Sequence, residues 1–315
     1  MTAARELVAA KVAKVARVVK VAKVAKVPPA EPNAKSFLRW VGSKRSTVHE
    51  LMARVPESFV GYHEVFIGSG ALFWALANAG RLRKAQVALS DTCDPLVRTW
   101  RALKTNHEDV IAALGPLGTY RVTEEHYYAV RSKSAEDLAA MSDVELAAWF
   151  LFINKTNFNG VHRVNRSGVY NVPYGRWTEK RTPNICDAEN LAACGEVLQR
   201  LRVALNTRPF ESVLHYAKPG DFVYMDSPYL PTSATADFTS YTAEGFGYDD
   251  HVRLRDVARE LKERGVHVML SNADVPLVRE LYESWRGFQI DVIGAPRAVN
   301  SDATKRGKVR ELVIR

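Results

Sequence analysis

Cysteine is scarce in this chain: Cys93, Cys186 and Cys194 are the only three thiols in 315 residues, with neither a close pair nor ligand-like spacing. That excludes a disulfide-stapled scaffold and a cysteine-built metal centre, and it fits a reducing compartment such as the cytoplasm. Long apolar runs are also missing. None approaches the roughly 18 residues needed to cross a bilayer, which argues against a membrane-spanning helix. Negative charge is thin at the start, where the first 35 residues carry eight basic side chains against only Glu6 and Glu31. This leader therefore accounts for six of the nine net positive charges. A nearly neutral body with a basic leader favours polyanionic partners without demanding them. The remaining composition, 47% hydrophobic and 10% aromatic, supports a packed core and excludes disorder as the main state. The length suits one large α/β domain or a core domain with a sizeable insertion.

Between Lys11 and Lys26 a basic residue recurs at every third position, separated mostly by Val and Ala. A three-residue step drifts around a helix by about 60° per repeat, so these side chains cannot form a single stripe. The leader is thus a poor membrane-surface helix. Three readings stay open: a tail that follows a phosphate backbone, a solubilising extension and a targeting segment. Pro28, Pro29 and Pro32 separate it from the body as a stiff linker.

The body opens with Phe37-Leu38-Arg39-Trp40-Val41-Gly42-Ser43-Lys44, apolar and basic residues alternating before a glycine turn. A strand over Tyr62 to Ile67 then runs into Gly68-Ser69-Gly70 and an apolar helix toward Asn78. Glycines at such a junction let backbone approach a ligand closely, and the helix start offers unpaired N–H groups. A third apolar run, Ala85 to Leu89, ends at Ser90-Asp91. Strand, glycine turn, helix, strand, acid is the order expected where a nucleoside lies across the carboxyl ends of a parallel sheet. Asp91 then accepts hydrogen bonds from ribose hydroxyls or, alternatively, caps the helix beginning near Pro95. The missing third glycine and the lack of a phosphate-loop lysine argue against a dinucleotide or ATP. A cofactor with a ribose and no phosphate fits better.

Residues 102–150 read as helices broken at Gly115-Pro116-Leu117-Gly118, and the buried segment Trp149 to Ile153 delivers a long polar run from Asn154 to Trp177. So many amides, arginines and glycines suit a hairpin shown to a nucleic-acid partner, since buried donors without acceptors are costly, with a polar structural insertion as the alternative reading. Arg reads guanine, Asn reads adenine or fills a gap in a duplex, and Arg or Trp beside them holds phosphate and sugar. Phe222 to Met225 reads as a buried strand delivering Asp226-Ser227-Pro228-Tyr229. The carboxylate and a neighbouring carbonyl can take an exocyclic amine while Tyr229 stacks on its ring, although an acid before Pro-Tyr also makes an ordinary turn. A small-polar loop with aromatics, 231–241, follows. Helix 249–264, strand 266–270, helix 275–285, strand 288–293, a basic loop 297–308 and strand 309–314 complete a doubly wound sheet whose last strands form a hairpin.

In this order the segments resemble the Dam-like, D12 class of DNA adenine-N6 methyltransferases over residues 36–315. The resemblance implies a Rossmann-like class I methyltransferase fold: a mostly parallel sheet with an antiparallel last strand, plus an inserted, mainly helical target-recognition domain carrying a β-hairpin. It divides the chain into the leader 1–35, a catalytic domain of 36–104 and 186–315, and a recognition domain of 105–185. It implies S-adenosylmethionine as cofactor, enclosed by Trp40 to Lys44 and by Phe66, Gly68, Ser69 and Gly70, with Asp91 on its ribose. Asp226, Ser227, Pro228 and Tyr229 match the catalytic pocket that grips and stacks a flipped adenine. Double-stranded DNA is the implied partner, with GATC as target. Asn159 matches a residue filling space near the extruded base, Arg163 a guanine reader, Val161 and Pro173 contacts to a thymine methyl, and Arg39 a reader of the first base pair. Asn165, Arg176 and Trp177 complete the expected DNA contacts. A cytoplasmic enzyme without metal or membrane follows, with a restriction endonuclease left open as genetic partner. Three departures stand out: Ser227 replaces the first proline of the pocket motif, Ser43 replaces a glycine, and Val65 replaces a proline before Phe66. Methylation of cytosine N4 and a catalytically silent DNA-binding module are the rival functions.

Overall fold

A computed structural model describes residues 33–230, 245–296 and 308–315. The leader to residue 32, the 231–244 loop and the 297–307 loop therefore lie outside the described residues, together with what the sequence suggests for them.

Segments of four to seven residues form seven strands: β1 (Gly61–Glu64), β2 (Gln86–Asp91), β3 (Ala204–Thr207), β4 (Phe222–Met225), β5 (His267–Ala273), β6 (Ile290–Pro296) and β7 (Lys308–Ile314). Their order in the sheet is β3-β2-β1-β4-β5-β7-β6. The first five pair in parallel, and β7 runs antiparallel to both neighbours. This is the doubly wound, mostly parallel sheet with an antiparallel last strand that the sequence implies.

Parallel strands need both faces covered, so central ones read as unbroken apolar runs. Along β4 the side chains alternate between two cores: Phe222 and Tyr224 enter one, Val223 and Met225 the other. The first core is roofed by α2 (Ala71–Asn78), the long α3 (Asp94–Leu114), α6 (Asp143–Thr156) and α7 (Ala188–Arg200), after the short α1 (Val48–Met52). The second is covered by α8 (Tyr248–Glu263) and α9 (Pro276–Glu283). Strand β3, like helices α1 and α7, is not announced by the sequence. It is four residues long with only Leu205 buried, too short for a pattern.

The inserted helices are α4 (Glu124–Arg131), α5 (Ala135–Ala140) and α6. A capping box starts α6: Ser142 Oγ accepts from the Glu145 amide and the Glu145 carboxylate accepts from the Ser142 amide. Every residue from Leu146 to Asn154 is buried, so the helix is apolar all round and packs between neighbours rather than against water. At its end the polar run folds back as an irregular hairpin. Bridges at Asn157–Tyr174 and Val164–Tyr170 replace continuous strands, and the tip turns at Gly168, whose φ is +74°. The side-chain Oδ1 of Asn165 closes that tip by accepting from the Ser167 and Val169 amides at 3.0 and 2.9 Å.

Candidate active site

The carboxyl ends of β1, β2 and β4 open into one cleft of about 650 Å³. The turn after β1 forms its floor. Gly68 has φ +43°, and a Cβ there would lie 2.8 Å from the Trp40 indole, so only a bare backbone lets Trp40 close over the turn. Ser43 and Ser69 share a hydrogen bond of 2.8 Å, which ties the Trp40–Lys44 segment to the same turn. The departure from glycine at position 43 thus has a use in the fold.

Asp91 ends β2 and faces this turn, its Oδ2 accepting from the Gly68 amide at 3.3 Å and its Oδ1 from the Cys93 amide at 3.0 Å. The cap of α3 is Cys93, which settles the alternative reading of Asp91 as that helix's N-cap. Burial raises the Asp91 carboxyl, and the backbone donors of Cys93, Gly68 and Thr92 oppose the rise. The ring of Phe66 stacks on Phe210 at 5.5 Å and meets Phe246 edge-on, making an apolar wall.

Beyond β4 the chain turns through Asp226 to Tyr229. Burial lifts the Asp226 carboxyl to about 6, the Lys44 ammonium pulls it down, and Glu311 pushes it up. Lys44 Nζ stands 2.7 Å from one Asp226 oxygen and 3.0 Å from the other, and it also donates to the Gly42 carbonyl at 2.7 Å. The same ammonium lies 4.6 Å from the centre of the Tyr229 ring. The Tyr229 hydroxyl donates to Glu311 at 3.0 Å, so strand β7 fixes the ring. Antiparallel β7 begins at the functional edge, which explains how a residue near the C-terminus reaches it. Ser227 is buried and its hydroxyl has no partner among the described residues.

All the residues that the sequence assigns to cofactor and catalysis line this one cleft. Among the lining residues that sequence reasoning passes over are Glu64, Tyr224 and Glu311. Glu64 was detectable, being an acid inside a run that otherwise reads as a buried strand. It accepts from the Tyr62 hydroxyl at 2.7 Å, and burial raises it to about 8, so it is largely protonated at neutral pH. Glu311 and Tyr224 carry no such local signal.

The expected DNA contacts lie outside the cleft. Asn159, Arg163, Asn165, Pro173 and Arg176 are exposed on the irregular hairpin, while Val161 is half-buried against the first core. Asn159 holds a left-handed φ of 58°, which turns the chain out of α6. Arg39 is half-buried, donates to the Lys155 and Asn157 carbonyls and lies 5.2 Å from the Trp177 ring centre. Trp177 spends its indole N–H on the Thr156 carbonyl at 2.7 Å.

A model of the D12 class N6 adenine-specific DNA methyltransferases matches residues 40–299. The chain belongs to this family. As a methyltransferase it is 37% identical over 284 residues to the type II methyltransferase M1.LlaDCHI of Lactococcus lactis subsp. cremoris, covering 90% of this chain and 95% of that one. It is 34% identical to the type II methyltransferase M.MjaIII of Methanocaldococcus jannaschii, over 89% of this chain and 98% of the other. A DNA adenine methylase of Vibrio cholerae is 32% identical, over 89% and 95%. This methyltransferase has no helix long and apolar enough to cross a membrane, and no metal-binding cluster of His, Cys, Asp or Glu, among its described residues.

Proposed function

We propose that this adenine-specific DNA methyltransferase takes its methyl group from S-adenosylmethionine and places it on N6 of adenine within GATC in double-stranded DNA. The observation that carries the proposal is the meeting of Asp226 and Tyr229 with the Gly68 turn and Asp91 in one cleft. Its volume falls within the range of small-molecule sites. The donor set also fits the cofactor: Asp91 for ribose hydroxyls, Trp40 and Phe66 as apolar walls, and the Gly68–Gly70 backbone for close approach. When bound, S-adenosylmethionine supplies an electrophilic methyl on a sulfonium.

An exocyclic adenine amine is a weak nucleophile because its lone pair is shared with the ring. The Asp226 carboxylate and the Ser227 carbonyl accept its two N–H bonds, favouring the pyramidal nitrogen needed for in-line attack. A donor held by Trp40, Phe66 and Asp91 would present its methyl to N6, and the electron pair of the broken S–C bond would remain on sulfur. The nitrogen then sheds one proton, for which Asp226 is the acceptor at hand. Positioning and charge placement supply the acceleration, without a covalent enzyme intermediate. Stacking on Tyr229 offsets part of the few kcal/mol that flipping costs. Burial pushes the Cys93 thiol far above neutral pH, which argues against a thiolate-dependent reaction at cytosine C5.

Residues 105–185 serve as the target-recognition domain in this proposal, between catalytic segments 36–104 and 186–315. The first boundary falls beside Asn106, where non-helical backbone kinks α3. Arg163 reads guanine, Val161 and Pro173 meet a thymine methyl, and Arg39 reads the first base pair. Asn159 fills the space beside the extruded base, while Asn165, Arg176 and Trp177 support the backbone contacts. The names of two relatives suggest a restriction endonuclease as genetic partner, with the enzyme working in the cytoplasm where DNA is available. The test is Asp226→Ala, which abolishes methyl transfer while cofactor binding persists. Undiminished transfer would sink the mechanism.

A further inference from the structure

Val161 and Arg163 flank a residue that points the other way. His162 stacks on the Trp40 indole with ring centres 5.7 Å apart and planes 26° from parallel. Its Nε2 lies 3.9 Å from Cys93 Sγ, and Phe150 and Tyr170 pack around the ring at 5.7 and 5.6 Å. Trp40 and Cys93 both line the catalytic cleft. Trp40 is caught between His162 and Gly68, and the Cys93 amide holds Asp91. His162 thus joins the hairpin to two residues that line the cleft. Burial pushes its imidazole down to about 4, so a neutral ring makes these contacts at physiological pH.

The backbone around His162 is not free to move alone. The Arg163 carbonyl accepts from the Asn171 amide at 3.2 Å, and Asn157 Nδ2 donates to the Val161 carbonyl at 2.7 Å. A duplex that engages Val161 or Arg163 therefore bears on the His162 ring through two peptide units. We propose that His162 is a positioning residue that couples recognition of the DNA target to binding of the methyl donor, through its stack on Trp40 and its contact with Cys93. The inference rests on the proposed function, in which Trp40 and Asp91 enclose the donor and the hairpin reads DNA. Coupling of this kind is reciprocal: whatever factor cognate DNA adds to donor affinity, the donor adds to DNA affinity.

The test uses the full chain and S-adenosylhomocysteine, which cannot turn over. Its dissociation constant is measured alone, with a saturating GATC duplex, and with a duplex of scrambled sequence. The parent protein shows a cognate-dependent gain of roughly fivefold or more. His162→Leu keeps the bulk and loses the flat ring, and its gain falls toward one. His162→Phe keeps the stack on Trp40 and preserves most of the gain. The inference is overturned by an undiminished gain in His162→Leu, by equal loss in both variants, or by a parent protein that binds the analogue without any gain. A parent protein that does not bind the analogue at all refutes the donor-site reading and this inference with it. Binding without coupling refutes the inference alone.

Discussion

Replacing Lys44 by Met should move the acidic limb of the pH profile. The Asp226 carboxyl stands near 6 because burial raises it and the Lys44 ammonium, 2.7 and 3.0 Å from its oxygens, holds it down. Among the described residues, the other titratable groups interacting with it are Glu311, Glu64, Tyr224 and Tyr229. Catalysis needs the ionised carboxylate, so activity is present above pH 6 and is lost as pH falls through it. An opposite charge this close is worth about one to three pH units to a carboxyl, so removing it shifts the limb upward by that amount. With a limb near pH 8 the ionised fraction at pH 7 drops roughly tenfold. The assay is kcat/KM against pH, which reports ionisations of the free enzyme, where the Lys44–Asp226 pair exists. Lys44→Arg keeps the charge and should leave the limb near 6. A Lys44→Met profile lowered uniformly, with its limb unmoved, would refute the electrostatic role and leave Lys44 a cofactor contact only.

Arg163 is exposed, its Nε resting on Asn171 Oδ1 at 2.8 Å, and Arg163→Ala should cost about 1–3 kcal/mol of discrimination at one guanine. Methylation rates on duplexes substituted at each base pair check this, and unchanged selectivity removes Arg163 as a base reader. Gly70 has φ +62°, and a Cβ there would stand 2.6 Å from the Trp100 ring, which stacks on Trp74. Gly70→Ala should destabilise by at least about 1–2 kcal/mol from backbone strain alone, and an unchanged melting temperature would contradict this. Ser227→Ala removes a buried, unpaired hydroxyl and keeps the carbonyl, so stability should hold or rise by about 1 kcal/mol with transfer retained. A large loss of transfer would assign the hydroxyl itself a role.

Local sequence shows much of this fold because strands buried on both faces must be apolar. The runs ending at Ile67, Leu89, Met225 and Leu270 mark four central strands for that reason, and the glycines and acids that follow them mark the cleft. Helix ends are legible to within a few residues: α8 covers Tyr248–Glu263 where 249–264 is expected, and α9 Pro276–Glu283 where 275–285 is expected. Strand β6 begins and ends later than 288–293, at Ile290–Pro296, because pairing with β7 sets its length. The hairpin is legible in its unpaired donors, but its two isolated bridges leave no alternating pattern. What local pattern cannot show is pairing at a distance. Lys44 meets Asp226 across 182 residues and Tyr229 meets Glu311 across 82, brought together only by strand order. His162 against Trp40 and Cys93 is hidden for the same reason.

The most direct test of the central claim is to incubate the protein with S-adenosylmethionine labelled on its methyl group and a duplex of mixed sequence, then identify the modified base and its neighbours. The account predicts label on adenine N6, within GATC, and none with Asp226→Ala. Label on cytosine N4, or no label while the duplex is bound, would contradict it.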